Sequence, residues 1–452
     1  RPMASAAEQL AANFNFSSIA KATELKQRLW FTLGALIVYR IGTYIPLPGI
    51  DPTILNDIFE QQRGGVLDMV NAFAGGAIGR MAIFALGIMP YISASIIMQL
   101  LTAVFPTLEQ LKKEGETGRK KINQYTRYLT VVLAVVQGYG IAVGLEGLQT
   151  STGASAVVDP GMFFRASAVI TLVGGTVFMM WLGEQITQRG VGNGISLIIF
   201  SGIVAGFPAA LAATFELGRS GQLSTPLLLG VLILAVAVIV FIVFVERAQR
   251  RILVQYPKRQ VGNKMFGGDS SHLPLKLNTA GVIPPIFASS ILLMPLTVAN
   301  FSGPSSTDGG ILSFLTANLG HGQPLYLALY VTMIVFFAFF YTAVVFNPTD
   351  TADNLKRNGG FVPGIRPGKN TADYLDYVLT RLTVIGAAYL AIVCILPEIL
   401  IARLSVPFYL GGTTLLIVVT VTMDTVTQIQ SHLIAHQYEG LIKKSKLRGK
   451  KR

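Results

Sequence analysis

Charge is what this sequence has least of. Charged residues make up 13% of its 452 positions, about half the ~25% usual for soluble domains. A chain that poor in charge cannot cover its own surface in water, which excludes a soluble enzyme and a disordered tail alike. A single cysteine, Cys394, excludes an internal disulfide framework. Histidines number four. His432 and His436 share a helix face at i, i+4 but lack cysteine or H-E-x-x-H partners, so no metal site is expected. There is no G-x-x-x-x-G-K-[ST] phosphate loop, and the GVGNG run at 190–194 follows no strand. No Ser-His-Asp set or carboxylate pair stands out. The chain reads as a non-enzyme with no cofactor.

Apolar residues are what it has instead: 52% of the chain. An α-helix needs about 20 mostly apolar residues to cross a bilayer. Ten such windows occur, at 29–48, 82–104, 125–146, 162–183, 193–212, 224–245, 278–300, 323–346, 377–399 and 408–430. No period-two alternation competes with them, so a membrane barrel is not expected. Residues 1–28 are mixed and polar and predict no cleaved signal peptide. With the N-terminus in the cytoplasm, all Lys and Arg except Arg40, Arg63, Arg80, Arg165, Arg219 and Arg403 fall on cytoplasmic tails, loops and span ends. That is the positive-inside asymmetry, and it predicts both termini inside. It also accounts for the net charge of +13 without nucleic acid.

Four features depart from plain spans. Residues 64–81 (GGVLDMVNAFAGGAIGRM) are Gly-rich, half-apolar and too short to cross. They are either an ordinary surface loop or backbone buried in protein at membrane depth. Pro90 falls within the second window and Pro284 with Pro285 within the seventh, predicting kinks that serve shape alone or line a gate. Ionisable groups are nearly absent from span centres, Asp424 excepted, which weighs against a proton-coupled transporter. The cytoplasmic stretches 246–277 and 347–376 are longer than the 2–8 residues usual between bundled helices. Long loops of this kind carry function. Their basic residues suit docking of a soluble partner or of RNA phosphates. The tail KKSKLRGKKR serves retention on the inside or attraction to anionic lipid.

Seven stretches together resemble the bacterial form of the SecY family, the central subunit of a protein-conducting channel. They are LGALIVYRIGTYIPLPGID (33–51), FALGIMPYISASII (84–97), KKEGETGRKKINQYTRY (112–128), MWLGEQITQRGVGNGIS (180–196), HLPLKLNTAGVIPPIFASS (272–290), FNPTDTADNLKRNGGFVPGIRPG (346–368) and VPFYLGGTTLLIVV (406–419). The N-terminal residues, parts of the outer loops, the 262–268 tip and the tail depart from the family pattern.

The resemblance implies an all-α integral membrane protein of ten transmembrane helices in two inverted, pseudo-symmetric five-helix halves with a short plug helix. A cytoplasmic segment 1–28 precedes an N-terminal half at 29–212 (plug 64–81). A C-terminal half at 224–430 and a basic tail at 431–452 follow. The implied task is to pass unfolded preproteins across the bacterial inner membrane and release apolar helices sideways into lipid. The implied pore ring is Ile88, Ile92, Ile195, Ile199, Ile286 and Ile417. Taken from the window ends, Ile92, Ile286 and Ile417 lie roughly 12–15 Å in, near mid-depth. The implied plug residues are Asp68, Asn71, Phe73, Gly75 and Gly76. The implied lateral gate is Pro90, Ser93, Gln99, Asn278 and Pro284. Arg366 would engage the motor ATPase SecA, and Arg250, Arg251, Lys258, Arg259, Lys356 and Arg357 would share docking of the motor and the ribosome. Implied partners are SecE, SecG, SecA, the ribosome, signal-bearing preproteins and the bilayer, extending to YidC and SecDF. A secondary transporter for a small solute and a membrane scaffold are the competing readings.

Overall fold

Buried positions 25, 32, 35, 39 and 42 of the first helix fall on one face, the spacing that a 3.6-residue period requires. This helix, α1 (Thr23–Gly42), opens a computed structural model that describes residues 21–61, 71, 74–147, 153–221, 224–266, 268, 270–301, 323–404 and 414–449. The chain divides into two compact units. One holds Arg1–Ala209, Leu296–Ser313 and Val421–Arg452; the other holds Ala210–Pro295 and Phe314–Thr420.

In the first unit, α1 is followed by α2 (Pro52–Gln61), α3 (Ala77–Arg80), α4 (Met89–Val104), α5 (Pro106–Lys113), α6 (Glu116–Gly147), α7 (Met162–Arg189) and α8 (Gly194–Ala205). Small residues Thr126, Thr130, Ala134, Gly138 and Ala142 recur every fourth position on the buried face of α6. That stripe lets α7 approach closely: a Cβ at Gly138 would sit 3.7 Å from Leu172. The turn from α7 to α8 contains the GVGNG run. Its amides are satisfied inside the protein, Val191 by Thr32 Oγ1 at 3.0 Å and Gly192 by Gln428 Oε1 at 2.8 Å. Asn193 caps α8 by accepting from the Ile195 amide.

The second unit continues with α9 (Phe207–Arg219), whose first residues belong to the first unit, then α10 (Thr225–Arg247). Along α10 only Ile242 and Val245 are buried, as suits a helix facing lipid. Then come β1 (Gln249–Gln255), β2 (Arg259–Val261), β3 (Lys264–Phe266) and β4 (Ser270–Lys276). Helices α11 (Ile283–Phe301), α12 (Pro324–Val345), α13 (Pro348–Arg357), α14 (Lys369–Leu404) and α15 (Thr414–Gly449) complete the chain, with α11 from Leu296 and α15 from Val421 belonging to the first unit. Tyr326, Tyr330, Ile334 and Phe337 form the buried face of α12, and α12 packs on α14. Phe287 of α11 meets the Phe337 ring edge-on at 5.6 Å.

Among the described residues, six helical stretches are long and apolar enough to cross a membrane. They are Glu116–Gly147, Met162–Arg189, Gly194–Arg219, Thr225–Arg247, Pro324–Arg357 and Lys369–Ile399. The pair α4 and α5, bent by 99°, brings the number to as many as seven. The bend falls at Phe105, which Pro106 holds in extended backbone.

Three expectations are corrected. The structure is not all-α, because 249–276 forms two antiparallel ribbons, with Gln249 opposite Lys276 and Arg259 opposite Phe266. Ile252 and Val254 alternate with exposed neighbours, the period of a half-buried strand. Gly262, at φ +65°, makes the two-residue turn between β2 and β3. Second, window 82–104 is not one helix. Residues 83–88 are turns, and α4 begins only at Met89. Third, Pro90 and Pro284 do not kink helices; each is the second residue of its helix, where no intrahelical hydrogen bond is lost. The prolines that do stand inside long helices, among the described residues, are Pro295 of α11 and Pro397 of α14.

Candidate functional site

The turn at 81–88 is buried at every residue but Ile83, which is half-buried. Buried irregular backbone must find its own hydrogen bonds, and here it does. Leu47 donates to Met81 O at 3.0 Å, Ile83 donates to Ile45 O at 2.9 Å, and Gly87 donates to Phe84 O at 2.9 Å. The Phe84 ring stacks on Tyr39 (6.1 Å) and on Phe178 (5.9 Å). Gly42 leaves the space this ring fills, and Gly175 leaves room for the Ile83 carbonyl. The 16 residues of α4 reach only about 24 Å, short of the ~30 Å hydrocarbon core. Backbone of this kind at that depth is tolerated where it is buried in protein or lines a wet cavity.

Next to this turn, the described part of the Gly-rich segment is held by side chains. Asn71 Oδ1 accepts from Gly79 N at 2.9 Å, and its carbonyl accepts from Gly76 N at 2.8 Å. Arg40 Nη1 donates to Gly75 O at 2.8 Å, and Arg80 Nη2 donates to the same oxygen at 3.3 Å. Arg80 Nε donates to Thr43 O at 3.1 Å, and its guanidinium lies 4.0 Å from the Tyr44 ring centroid. Gly75 and Gly76, at φ +70° and +82°, adopt backbone that other residues resist. The segment is thus buried protein rather than a free loop over residues 74–81. Asp68 and Phe73 lie outside the described residues. Of this cluster the sequence reading named Asn71, Gly75 and Gly76 but not Tyr39, Arg40, Thr43 or Arg80. A signal for two of them was present: Arg40 and Arg80 are exceptions to the positive-inside asymmetry.

Five of the six isoleucines lie at helix beginnings, and Ile199 is mid-way along α8. Ile88 is the residue before α4, and Ile92, Ile286 and Ile417 are each the fourth residue of α4, α11 and α15. Ile92 and Ile286 therefore lie roughly 4–5 Å from the start of their helices, nearer than they lie to the window ends, and the residues just before α15 are outside the described residues. Ile88, Ile92, Ile199, Ile286 and Ile417 are buried, while Ile195 at the start of α8 is half-buried. Ile88, Ile92, Ile195 and Ile199 belong to the first unit, Ile286 and Ile417 to the second.

Of the gate residues, Pro90, Ser93 and Pro284 are buried. The buried Gln99 Oε1 on α4 finds no hydrogen-bond donor among the described residues. Asn278 stands before α11 rather than on it. Its Nδ2 donates to Glu246 Oε1 at 2.9 Å and to Gly281 O at 3.2 Å, and Tyr389 OH donates to the same Glu246 oxygen at 3.4 Å. Its amide is therefore committed inside the second unit.

The two long stretches 246–277 and 347–376 share one apolar base. Ile252 and Leu275 from the strands pack with Val362, Leu375, Val378 and Leu382. Above that base Arg250, Arg251, Lys258, Lys356, Arg357 and Arg366 are all exposed; the side chain of Arg259 is outside the described residues. Arg366 follows Ile365, which is packed on the base, and its carbonyl accepts from Thr371 Oγ1 at 2.8 Å. Among the described residues no cluster of metal-ligating side chains occurs.

Residues 82–426 match the SecY family. The chain belongs to the SecY family. It is 56% identical over 434 residues to the protein translocase subunit SecY of Rickettsia felis, covering 96% of this chain and 99% of that one. To the Escherichia coli K12 protein translocase subunit SecY it is 57% identical over 426 residues, covering 94% and 96%. Solved structures share its fold at lower identity. A protein-conducting channel superimposes with a TM-score of 0.63 at 18% identity, covering 90% and 92%. Sec61 from a canine ribosome–channel complex gives 0.60 at 17%, again covering 90% and 92%. As a SecY-family chain with several apolar spanning helices, this is a multi-pass membrane protein and not an enzyme.

Proposed function

We propose that the chain is the pore subunit of a protein translocase, a protein-conducting channel that passes unfolded polypeptide and releases apolar segments into lipid. One observation carries the reading beyond family membership: the buried, non-helical backbone of 81–88, set against a held Gly-rich segment and leading into the isoleucine-bearing first turn of α4. Unpaired peptide groups cost several kcal/mol each in hydrocarbon, so a passing chain needs a hydrated path. A resting path must also stop ions, and an apolar constriction does so by dewetting without gripping any one sequence.

In this reading ten helices form two inverted halves, 29–212 and 224–430. Ile88, Ile92, Ile195, Ile199, Ile286 and Ile417 make the constriction, and residues 64–81, with Asp68, Asn71, Phe73, Gly75 and Gly76, stop the outer mouth. A solved SecY relative is described by a plug domain that stabilises the closed state and maintains a membrane seal, which supports that assignment. Pro90, Ser93, Gln99 and Pro284 border the lateral gate, with Asn278 anchoring its second helix. About ten Leu at ~−0.5 kcal/mol each give a signal sequence roughly 5 kcal/mol for entering lipid, enough to bias such a seam. No motor motif is present, so energy comes from partners: SecA or the ribosome on the basic platform, with SecE, SecG, YidC and SecDF in the membrane. The scarcity of mid-depth carboxylates disfavours a solute transporter. The membrane is the bacterial inner membrane, with both termini cytoplasmic.

The test is site-specific crosslinking from Ile92 and Ile286 to a stalled secretory precursor. Crosslinks from both positions are expected; none from either would remove the channel path. Deletion of residues 66–78 is expected to give ion leak in planar bilayers.

A further inference from the structure

We propose that Arg40 and Arg80 are positioning residues that latch the Gly-rich segment shut through one shared acceptor, the carbonyl of Gly75. The inference rests on the seal assigned above to residues 64–81 and adds what holds it. Arg40 comes from α1 and Arg80 from α3, yet both guanidiniums point at Gly75 O, at 2.8 and 3.3 Å. Among the described residues neither has a carboxylate within ion-pair distance. Two cations converging without a counter-ion repel each other, so the arrangement needs compensation. Tyr44 supplies part of it, with its ring face 4.0 Å from Arg80 and 5.4 Å from Arg40 and its hydroxyl accepting from Arg40 Nη2 at 3.3 Å. The Gly75 carbonyl supplies the rest through charge-assisted hydrogen bonds. Arg80 Nε also holds Thr43 O, just beyond α1. It thereby staples that helix end to the segment.

The fit leaves no slack. A Cβ at Gly75 would lie 2.6 Å from Tyr39 OH, 3.2 Å from Arg40 Nη1 and 3.2 Å from the Gly202 Cα of α8. Tyr39 OH donates to the neighbouring Ala74 O at 3.4 Å. Residues 74–76 are therefore gripped by polar contacts to two carbonyls, while the apolar anchors of the segment, Ile78 and Met81, lie further along it. Such a grip releases when one peptide moves and re-forms without refolding.

The experiment uses the full chain with its co-purifying membrane subunits, in a Cys394→Ser background carrying Ala74→Cys. Two quantities are read: ion leak in planar bilayers and labelling of position 74 by an impermeant maleimide. Arg40→Gln and Arg80→Gln are each expected to raise leak and labelling by roughly tenfold, and the double variant further, as loss of a charged hydrogen bond implies. Arg80→Lys, which keeps the charge but not the fork, should fall between and decides the matter if a Gln variant fails to insert. Arg219→Gln, an exposed arginine in neither contact, should remain tight. A sealed, unlabelled double variant beside a leaking 66–78 deletion overturns the latch and leaves the seal standing. If the deletion is tight as well, the seal assignment itself falls. Leak from Arg219→Gln equal to that from Arg80→Gln also overturns the latch.

Discussion

Gln255 and Phe361 exchange two backbone hydrogen bonds, Gln255 N to Phe361 O at 2.9 Å and Phe361 N to Gln255 O at 3.0 Å. The pair is an isolated antiparallel bridge between stretches more than a hundred residues apart in sequence. It joins the β-ribbon that follows α10 to the loop that follows α13. Gly360 permits the approach, since a Cβ there would lie 2.9 Å from the Tyr256 ring and 3.2 Å from Val254. The two basic stretches are therefore one body.

If they are one body, they should loosen together. Val362→Ala removes a buried side chain from the shared base and should destabilise the platform by about 1–3 kcal/mol. Limited proteolysis should then cut within both 256–270 and 358–368. Cuts in only one of the two would show that the bridge does not couple them.

Arg366 is exposed while Ile365 beside it is anchored. Arg366→Glu should leave thermal stability within about 0.5 kcal/mol of the parent. Motor-driven export into membrane vesicles should be blocked, with insertion of membrane proteins surviving better. Equal loss of both would remove the special role of this position.

Proline position in α4 makes a contrast. Pro90, at the second helical residue, should tolerate Pro90→Ala with a loss of no more than about 2 kcal/mol, that of a small buried side chain. Ala94→Pro, two residues beyond Ile92 and fully buried, should cost ~3 kcal/mol or more by breaking the helix. Thermal unfolding in detergent measures both; similar losses would mean that Pro90 shapes the helix after all.

Asn278 and Glu246 form the polar tie beneath α11. Asn278→Ala removes a donor from a part-buried carboxylate and should cost about 1–3 kcal/mol. Asn278→Asp, which sets a like charge beside it, should cost more. The two midpoints in thermal unfolding check the order, and no change in either would mean that the tie is idle.

Much of this was legible in the sequence because hydropathy and charge act locally. The helical windows at 125–146, 162–183, 224–245 and 323–346 lie within α6, α7, α10 and α12 to within a residue at their ends, and the polar ends of α6 and α7 pair through Arg127 and Glu184 at 2.8 Å. The 82–104 window misled for a physical reason. Apolar content reports burial, and residues 82–88 are buried without being helical. The ribbon at 249–276 was hidden by its arginines, which mask the alternation of Ile252 and Val254.

Amino-acid order alone determined that this chain lives in a membrane and which family its motifs join, since apolar windows of about 20 residues and short motifs are read locally. Where helices begin, how Gln255 finds Phe361, and why Arg40 and Arg80 meet at Gly75 were decided only by tertiary structure. Those outcomes depend on buried backbone groups finding partners tens of residues away or more, and no local window carries that requirement.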